Sequence, residues 1–143
     1  SAPALGYRWW GVHGVGAWRN GEPIHVSTVS RLEDAFLSSD SYTSFSQRST
    51  GEGAAFDGLV RRVARSRGFG DFWSHMLVAE GAIDVAVEPE VTLWDLAASS
   101  VIVEAAGGRF TNLAGEPGPD GGSVIATNGL LHDAVVESLR GSQ

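Results

Sequence analysis

Hydrophobic and polar residues alternate through the first quarter of the chain. Segments 7–13, 17–19 and 24–26 carry aromatic and aliphatic side chains in the alternation that half-buried strands show. Asn20-Gly21, between the last two segments, predicts a type I′ hairpin turn, because both residue types accept a positive φ. Residues 3–26 are therefore predicted to form an antiparallel meander, which needs further strands or a helix behind it to be stable.

Most of the remaining chain has the periodicity of helices that alternate with strands. Apolar residues at helical spacing predict helices around 56–65, over 72–80, over 93–106 and after a capping Asn128. Strands are predicted at 35–38, 82–88, 109–111 and 123–127, with a brief extended segment at 67–71. From residue 51 onward the order is helix, strand, helix, strand, helix, strand, strand, helix, which predicts a layered α/β domain.

Two polar features lie between these regular parts. Ser38 to Thr50 is rich in Ser and Thr and has no periodicity, so it is predicted to be an exposed loop, with a lid as one function for it. Arg61, Arg62 and Arg65 fall on the polar face of the next helix. Three arginines on one helix could bind phosphate, but a solvated helix face is the preferred interpretation.

Composition excludes several kinds of site and partner. The chain has 143 residues, enough for one domain with a core, and it has no Cys, which excludes disulfides, zinc–thiolate sites and cysteine nucleophiles. Its formal net charge is −7 without a basic stripe, so a nucleic-acid partner is not expected. An acidic protein that binds a phosphorylated substrate needs cations between the two, which suggests a divalent metal. No apolar run approaches the ~20 residues of a membrane span and no secretory signal is recognisable, so we expect a cytoplasmic protein without membrane partners.

The candidate chemistry is concentrated between the strand at 82–88 and the helix at 93–106. Glu88 stands at the strand end, where Pro89 stops the hydrogen-bond ladder, and Asp95 stands in the first turn of the helix after Thr92, a candidate N-cap. In α/β architectures, ligands usually bind at such a junction of strand end and helix start.

Each candidate residue also has a purely structural interpretation. Asp95 follows Thr92 by three residues, so the two could close a capping box, and Glu88 could be a solvated rim residue. Asp71 is interpreted in the first place as an N-cap for the helix from Phe72.

Two further side chains are assigned to packing. His75 has no His or Cys at ligand spacing and is predicted to be a packing residue rather than a metal ligand. Trp94 is predicted to be a core anchor, because large aromatic side chains in helices normally pack.

Several runs of residues resemble one known family. Leu-Trp-Asp-Leu-Ala-Ala at 93–98, followed by Glu-Ala-Ala-Gly-Gly at 104–108, resembles the second signature of the inositol monophosphatase family. The runs 80–84 and 125–128 match the order and spacing of that family, and the Gly-rich hairpin region before residue 22 is similar to its hairpin. The resemblance covers nearly the whole chain.

The resemblance implies a fold and a class of reaction. The fold would be the C-terminal half of the layered αβαβα arrangement, with residues 1–28 completing an N-terminal sheet and residues 29–143 forming the C-terminal α/β layers. The activity would be that of a Mg²⁺-dependent phosphomonoesterase, usually a homodimer, that acts on a small phosphorylated alcohol. Gly70-Asp71 and Glu88-Pro-Glu90 resemble the branch that hydrolyses histidinol phosphate, with inositol 1-phosphate as the alternative substrate.

The resemblance also implies roles for single residues. Asp95 would be a ligand of one Mg²⁺ beside the phosphate, as a hard oxygen ligand suits that ion. Glu88 would contact the alcohol part of the substrate. Asp71, with Gly70 beside it, would be a second recognition element that accepts a hydrogen bond from an amino or imidazole group.

The chain also departs from the family pattern. The other metal ligands of the family lie in a Gly-Glu-Glu-type motif and an Asp-Pro-Ile-Asp-Gly-Thr motif, and neither occurs here. One Asp cannot hold two metal ions, so no catalytic residue is assigned in this chain. We expect it to be inactive alone and to need an N-terminal half or a second chain. A non-catalytic binding or scaffold module that keeps the fold is the alternative of a different class.

Overall fold

The first part of the chain forms a three-stranded antiparallel sheet. The computed structural model describes residues 1–40, 42–47 and 50–140. Strands β1 (Trp9–Val12), β2 (Gly16–Arg19) and β3 (Glu22–Ile24) pair in sequence order. Asn20 and Gly21 have φ values of 50° and 90°, as a type I′ turn requires. The predicted meander is confirmed.

A second, mixed sheet lies at the centre of the molecule. Its strands are β4 (Phe36–Ser38), β5 (Arg65–Arg67), β6 (Val85–Glu88), β7 (Arg109–Thr111) and β8 (Val124–Thr127), in the spatial order β5-β4-β6-β8-β7. β4 pairs in parallel with β5 and β6, and the β6–β8 and β8–β7 pairs are antiparallel. Because β4 lies beside β6 and runs parallel to it, the carboxyl ends of these two strands lie side by side, although they are far apart in sequence.

Helices cover both faces of this sheet. They are α1 (Tyr42–Ser46), α2 (Thr50–Arg62), α3 (Asp71–Ala79), α4 (Leu93–Ala105) and α5 (His132–Arg140). Alternate residues of β6 enter different cores: Ala86 packs with residues of α3 and α4, whereas Val85 and Val87 pack with residues of α2 and α5. The order of elements from α2 to α5 is the predicted one, and the layered α/β fold is confirmed.

The meander covers the outer side of α4. A Cβ atom at Gly11 would lie 3.0 Å from the Cβ atom of Ala105 and 3.0 Å from the Cα atom of Ile102, so a glycine is required for the strand backbone to approach the helix this closely. Trp9 and Ala17 of the same sheet are buried in the core shared with α4. The layers are therefore meander, helices, sheet, helices.

The exposed loop predicted from Ser38 to Thr50 is partly wrong where this segment is described: Asp40 and most residues of α1 are exposed, but α1 is a helix and not a loop. Ser38 and Ser39 are buried, and α1 anchors the segment through Phe45, which is 1% exposed. The Phe45 ring stacks on Phe56 of α2 with centroids 4.0 Å apart. A five-residue helix is too short to show periodicity, so a single aromatic anchor among Ser and Thr residues gave no helical pattern. Residues 41, 48 and 49 of this prediction lie outside the described residues.

The arginine prediction is partly wrong. Arg61 and Arg62 are exposed on α2, as a solvated face requires, and Arg62 donates to the Ser138 hydroxyl at 2.9 Å. Arg65, however, lies beyond the end of that helix, in the edge strand β5, with its guanidinium 5.4 Å from the centre of the Phe36 ring. Charged side chains on an edge strand oppose pairing with other chains.

Candidate functional site

A cleft of about 710 Å³ opens where β6 ends and where α3 and α4 begin. Its lining includes five carboxylates, two aromatic rings and one imidazole, from Asp40, Asp71, Glu88, Glu90, Asp95, Phe72, Trp94 and His75. No arginine of the described residues lines it. Such a concentration of negative charge favours cations over bare anions.

The cleft brings together the three acidic side chains singled out by sequence. Asp71, Glu88 and Asp95 all line it, although Asp95 lies 24 positions after Asp71 in the sequence. Gly70, the N-cap residue of α3, directly precedes Asp71 in the chain, but it is not one of the residues that line the cleft. Their assignment to substrate and metal binding stays a prediction.

Glu88 is the most enclosed of these groups. It is the last residue of β6 and is 3% exposed. Its Oε1 atom accepts a hydrogen bond from the Ser74 hydroxyl at 3.1 Å and lies 3.4 Å from Nε2 of His75. The interpretation of Glu88 as a solvated rim residue is therefore wrong.

Asp71 is exposed at the start of α3, but it is not the N-cap that was predicted. Gly70 takes that position with φ 71°, and Asp71 is the first helical residue with φ 47°. A positive φ is uncommon outside glycine, although Asp tolerates it better than most residues. Two consecutive residues with positive φ therefore turn the chain sharply into the helix at the edge of the cleft.

Asp95 is exposed in the first turn of α4, with Thr92 at the predicted N-cap position. The Thr92 hydroxyl makes no hydrogen bond to the helix backbone and donates instead to Oδ2 of Asp95 at 2.6 Å. The reciprocal capping box is therefore not formed. The carboxylate still has a favourable position near the positive end of the helix dipole.

The donor set fits one ligand of a magnesium ion rather than a complete site. Within residues 1–40, 42–47 and 50–140, no group of three or more His, Cys, Asp or Glu side chains could hold a metal ion. Mg²⁺ is commonly bound through one or two carboxylates together with waters and substrate phosphate. Asp95 suits that limited role.

The two packing predictions have different outcomes. His75 is 1% exposed, and its ring meets Phe110 edge-on at 5.6 Å, so it is buried as expected. Trp94 is 89% exposed, and its prediction as a core anchor is wrong. The buried face of α4 carries Leu96 and Val103, and Trp94 precedes Leu96 by only two residues, so it falls on the opposite side of the helix.

Sequence reasoning missed Asp40 as a residue of the cleft, and it named Glu90 only as part of the Glu88-Pro-Glu90 run. Asp40 follows the end of β4, which lies beside β6 in the sheet. The position of β4 as a neighbour of β6 is a property of the folded sheet, so the only signal in the sequence was an acidic residue shortly after a predicted strand.

Comparison with known proteins decides the family. The family model described as the inositol monophosphatase family matches residues 1–143. The chain belongs to the inositol monophosphatase family. The resemblance inferred from the two signature runs is thereby confirmed.

Two bacterial members of the family are similar to this chain over almost all of its length. The Histidinol-phosphatase of Streptomyces coelicolor is 46% identical, and the match covers 97% of this chain and 53% of the relative. The Histidinol-phosphatase of Mycobacterium tuberculosis is 48% identical, with 97% and 55% covered. The chain thus spans about half the length of the curated relatives it matches.

Solved structures of the family show the same fold. The structure of the Thermotoga maritima IMPase has a TM-score of 0.84 and 33% identity, covering 97% of this chain and 53% of that one. The inositol monophosphatase from Anabaena has a TM-score of 0.85 and 29% identity, with 96% and 56% covered. In the described part of this family member, no helix is long and apolar enough to cross a membrane.

Proposed function

We propose that this chain forms the substrate-recognition side of a Mg²⁺-dependent phosphomonoesterase that hydrolyses histidinol phosphate. The observation that carries the proposal is the acidic cleft, which gathers five carboxylates and, among the described residues, no arginine. Histidinol phosphate bears an ammonium group as well as a phosphate, so it suits a wall of carboxylates better than a neutral polyol phosphate does. The similarity to two proteins named Histidinol-phosphatase supports the same choice.

The recognition groups have complementary positions. Glu88 is buried and held at the base of the cleft, so its carboxylate can accept hydrogen bonds from an ammonium group at little further entropic cost. Asp71 lies at the start of α3, exposed and ready to bind a second donor such as an imidazole N–H. Together they would distinguish an amino alcohol from a plain alcohol.

Asp95 would hold magnesium next to the phosphate. Magnesium held there would supply polarisation of a phosphoryl oxygen and would offset the negative charge of the phosphate in an acidic cleft. A complete site needs further ligands, and no group of three or more His, Cys, Asp or Glu side chains in the described residues could hold a metal ion. We therefore propose that turnover requires further metal ligands besides Asp95. These ligands would come from a polypeptide that corresponds to the part of the relatives outside the match, or from a second chain.

Phosphate release tests this proposal. The assay compares this chain alone with the same chain joined to the part of the Streptomyces coelicolor relative that the match does not cover. The joined protein should hydrolyse histidinol phosphate only with Mg²⁺, and the chain alone should not. Robust turnover by the chain alone would refute the need for further ligands, and a joined protein that folds but prefers inositol 1-phosphate would refute the substrate.

Two alternatives are favoured by specific observations. Inositol 1-phosphate is favoured by a Thermotoga maritima relative named Fructose-1,6-bisphosphatase/inositol-1-monophosphatase, which is 35% identical over 95% of this chain. A non-catalytic binding module is favoured by the lack of a three-ligand metal cluster in the described residues. Binding of histidinol without any hydrolysis by the folded joined protein would support the binding module.

A further inference from the structure

His75 is a polar side chain enclosed in a place where a hydrocarbon would pack at lower cost. The side chain is 1% exposed, and neither ring nitrogen has a hydrogen-bond partner among the residues the structure describes. Among the described residues, the only aromatic ring close to the imidazole is that of Phe110, and the two rings meet edge to face. A buried imidazole without hydrogen bonds is unfavourable, so its presence needs an explanation other than packing.

The nearest acceptor to His75 belongs to Glu88. Nε2 of His75 lies 3.4 Å from Oε1 of Glu88, which is slightly longer than a good N–H···O hydrogen bond. Such contacts are often long in ligand-free sites and shorten when the ligand binds. Both residues line the acidic cleft, so a ligand there can move this contact.

The other donor to Glu88 does not satisfy it fully. The Ser74 hydroxyl lies 3.1 Å from Oε1 of Glu88 and also 3.0 Å from the carbonyl oxygen of Asp71. A hydroxyl has one hydrogen, so these two acceptors compete for it. Oε1 therefore needs a second donor, and His75 carries a ring nitrogen that can supply one.

We propose that His75 is a positioning residue that selects ammonium-bearing ligands through Glu88. When a cationic group of the ligand attracts the Glu88 carboxylate, the carboxylate shifts so that Nε2–H of His75 donates to its Oε1 atom. Ser74 and His75 then occupy Oε1, and Oε2 is the oxygen that binds the ligand. A neutral polyol exerts no comparable pull on a carboxylate, so its binding gains little from His75. This inference rests on the proposed substrate class.

Binding of L-histidinol to this chain tests the proposal without requiring turnover. Histidinol is titrated calorimetrically into the wild type and into three variants, with myo-inositol as the uncharged comparison. His75→Leu removes the donor and keeps the bulk, whereas His75→Gln restores a donor. Met76→Leu is the matched control, because Met76 is buried in the same helix but does not line this cleft.

We expect His75→Leu to weaken histidinol binding by about tenfold or more, the loss typical of a hydrogen bond to a charged group. His75→Gln should recover most of the affinity, and Met76→Leu should match the wild type. Myo-inositol binding should be the same in all four proteins. In the wild type with isotope-labelled histidine, the His75 side-chain nitrogen signal should shift on addition of histidinol and not of myo-inositol.

The unfavourable outcomes separate two failures. If a folded His75→Leu variant binds histidinol as tightly as the wild type, the role of His75 is overturned while the substrate assignment stands. If the wild type itself shows no histidinol binding at saturating ligand, the substrate class fails and the inference fails with it. Equal losses in His75→Leu, His75→Gln and Met76→Leu would assign His75 to packing alone.

Discussion

Acidification should destabilise this protein through one buried side chain, His132. The ring is 0% exposed at the start of α5 and lies between two threonine hydroxyls, with Nε2 2.9 Å from Thr111 and Nδ1 3.0 Å from Thr127. The Thr111 hydroxyl donates to the carbonyl oxygen of Asn112, so it must accept from Nε2–H. The Thr127 hydroxyl accepts from the N–H of Gly129 and donates to Nδ1. A neutral imidazole therefore satisfies every group in this chain of hydrogen bonds.

Protonation of His132 would disrupt this arrangement. A proton on Nδ1 would face the hydrogen of the Thr127 hydroxyl, and the charge would lie on a ring that is fully buried. Burial of the ring, followed by the nearby guanidinium of Arg109, lowers the pKa of His132 from 6.5 to about 4. Between pH 6.5 and about pH 4, His132 of the unfolded chain is protonated and His132 of the native state is not. The contribution of His132 to the free energy of unfolding is therefore fully present above pH 6.5 and is lost as the pH falls toward about 4.

The magnitude follows from the difference between the two pKa values. Each pKa unit corresponds to about 1.4 kcal/mol, so His132 should contribute about 3 kcal/mol of stability that is lost on acidification. Most of that loss should be complete by about pH 4.5. For a domain of this size, such a loss is a large fraction of the total free energy of unfolding.

Urea unfolding measured from about pH 7.5 to about pH 4.5 tests this reasoning. His132→Gln keeps an amide in the buried site but cannot titrate, and His25→Gln is the control because it removes an exposed histidine and leaves the buried ring in place. The wild type should have a larger free energy of unfolding than His132→Gln near neutral pH, and the difference between the two proteins should narrow by about 3 kcal/mol on acidification. A gap that stays constant across this range would refute the assignment.

Four substitutions test the packing. Gly11→Ala should destabilise the fold by about 1–3 kcal/mol, because its Cβ would collide with α4, whereas Gly58→Ala, in an open position on α2, should stabilise it by about 0.5–1 kcal/mol. Phe45→Ala should cost about 3–5 kcal/mol through loss of the stack on α2. Trp94→Ser should change stability by less than about 0.5 kcal/mol, because the ring is exposed. Chemical unfolding measures all four.

Each of these results has a clear contrary outcome. Equal effects of the two glycine substitutions on the free energy of unfolding would contradict the claim that β1 approaches α4 too closely at Gly11 for a side chain to fit. A mild effect of Phe45→Ala would mean that α1 is not anchored by this ring. A loss of several kcal/mol in Trp94→Ser would restore Trp94 to the core.

Elements with a long apolar pattern could be predicted from sequence. The helix at 93–106 and the strand at 123–127 appear within a residue of their predicted bounds, as α4 and β8. The strand predicted at 82–88 begins only at Val85, because the backbone N–H groups of Ala82 and Ile83 donate to the Leu77 carbonyl oxygen of α3 and not to a neighbouring strand. Element ends depend on such tertiary contacts, which a local pattern does not contain.

The cleft was predictable where one short stretch of chain builds it. Glu88 and Asp95 bracket a single loop, and their position at a strand end and a helix start followed from local pattern alone. Asp40 was not found, because it reaches the cleft through the pairing of β4 with β6. Trp94 is exposed for a different reason: it lies two residues before Leu96, and Leu96 and Val103 define the buried face of α4.

The Asp95→Asn substitution tests the proposed site most directly. Mg²⁺-dependent release of phosphate from histidinol phosphate is measured in the joined protein, together with its free energy of unfolding. The expected result is a fall in kcat/KM of about a hundredfold or more with stability changed by less than about 1 kcal/mol, because the exposed carboxylate contributes to the fold only through Thr92 and the helix dipole, whereas its proposed role is to bind the ion. Undiminished turnover, or a loss of stability that matches the loss of activity, would contradict the role of Asp95 as a metal ligand.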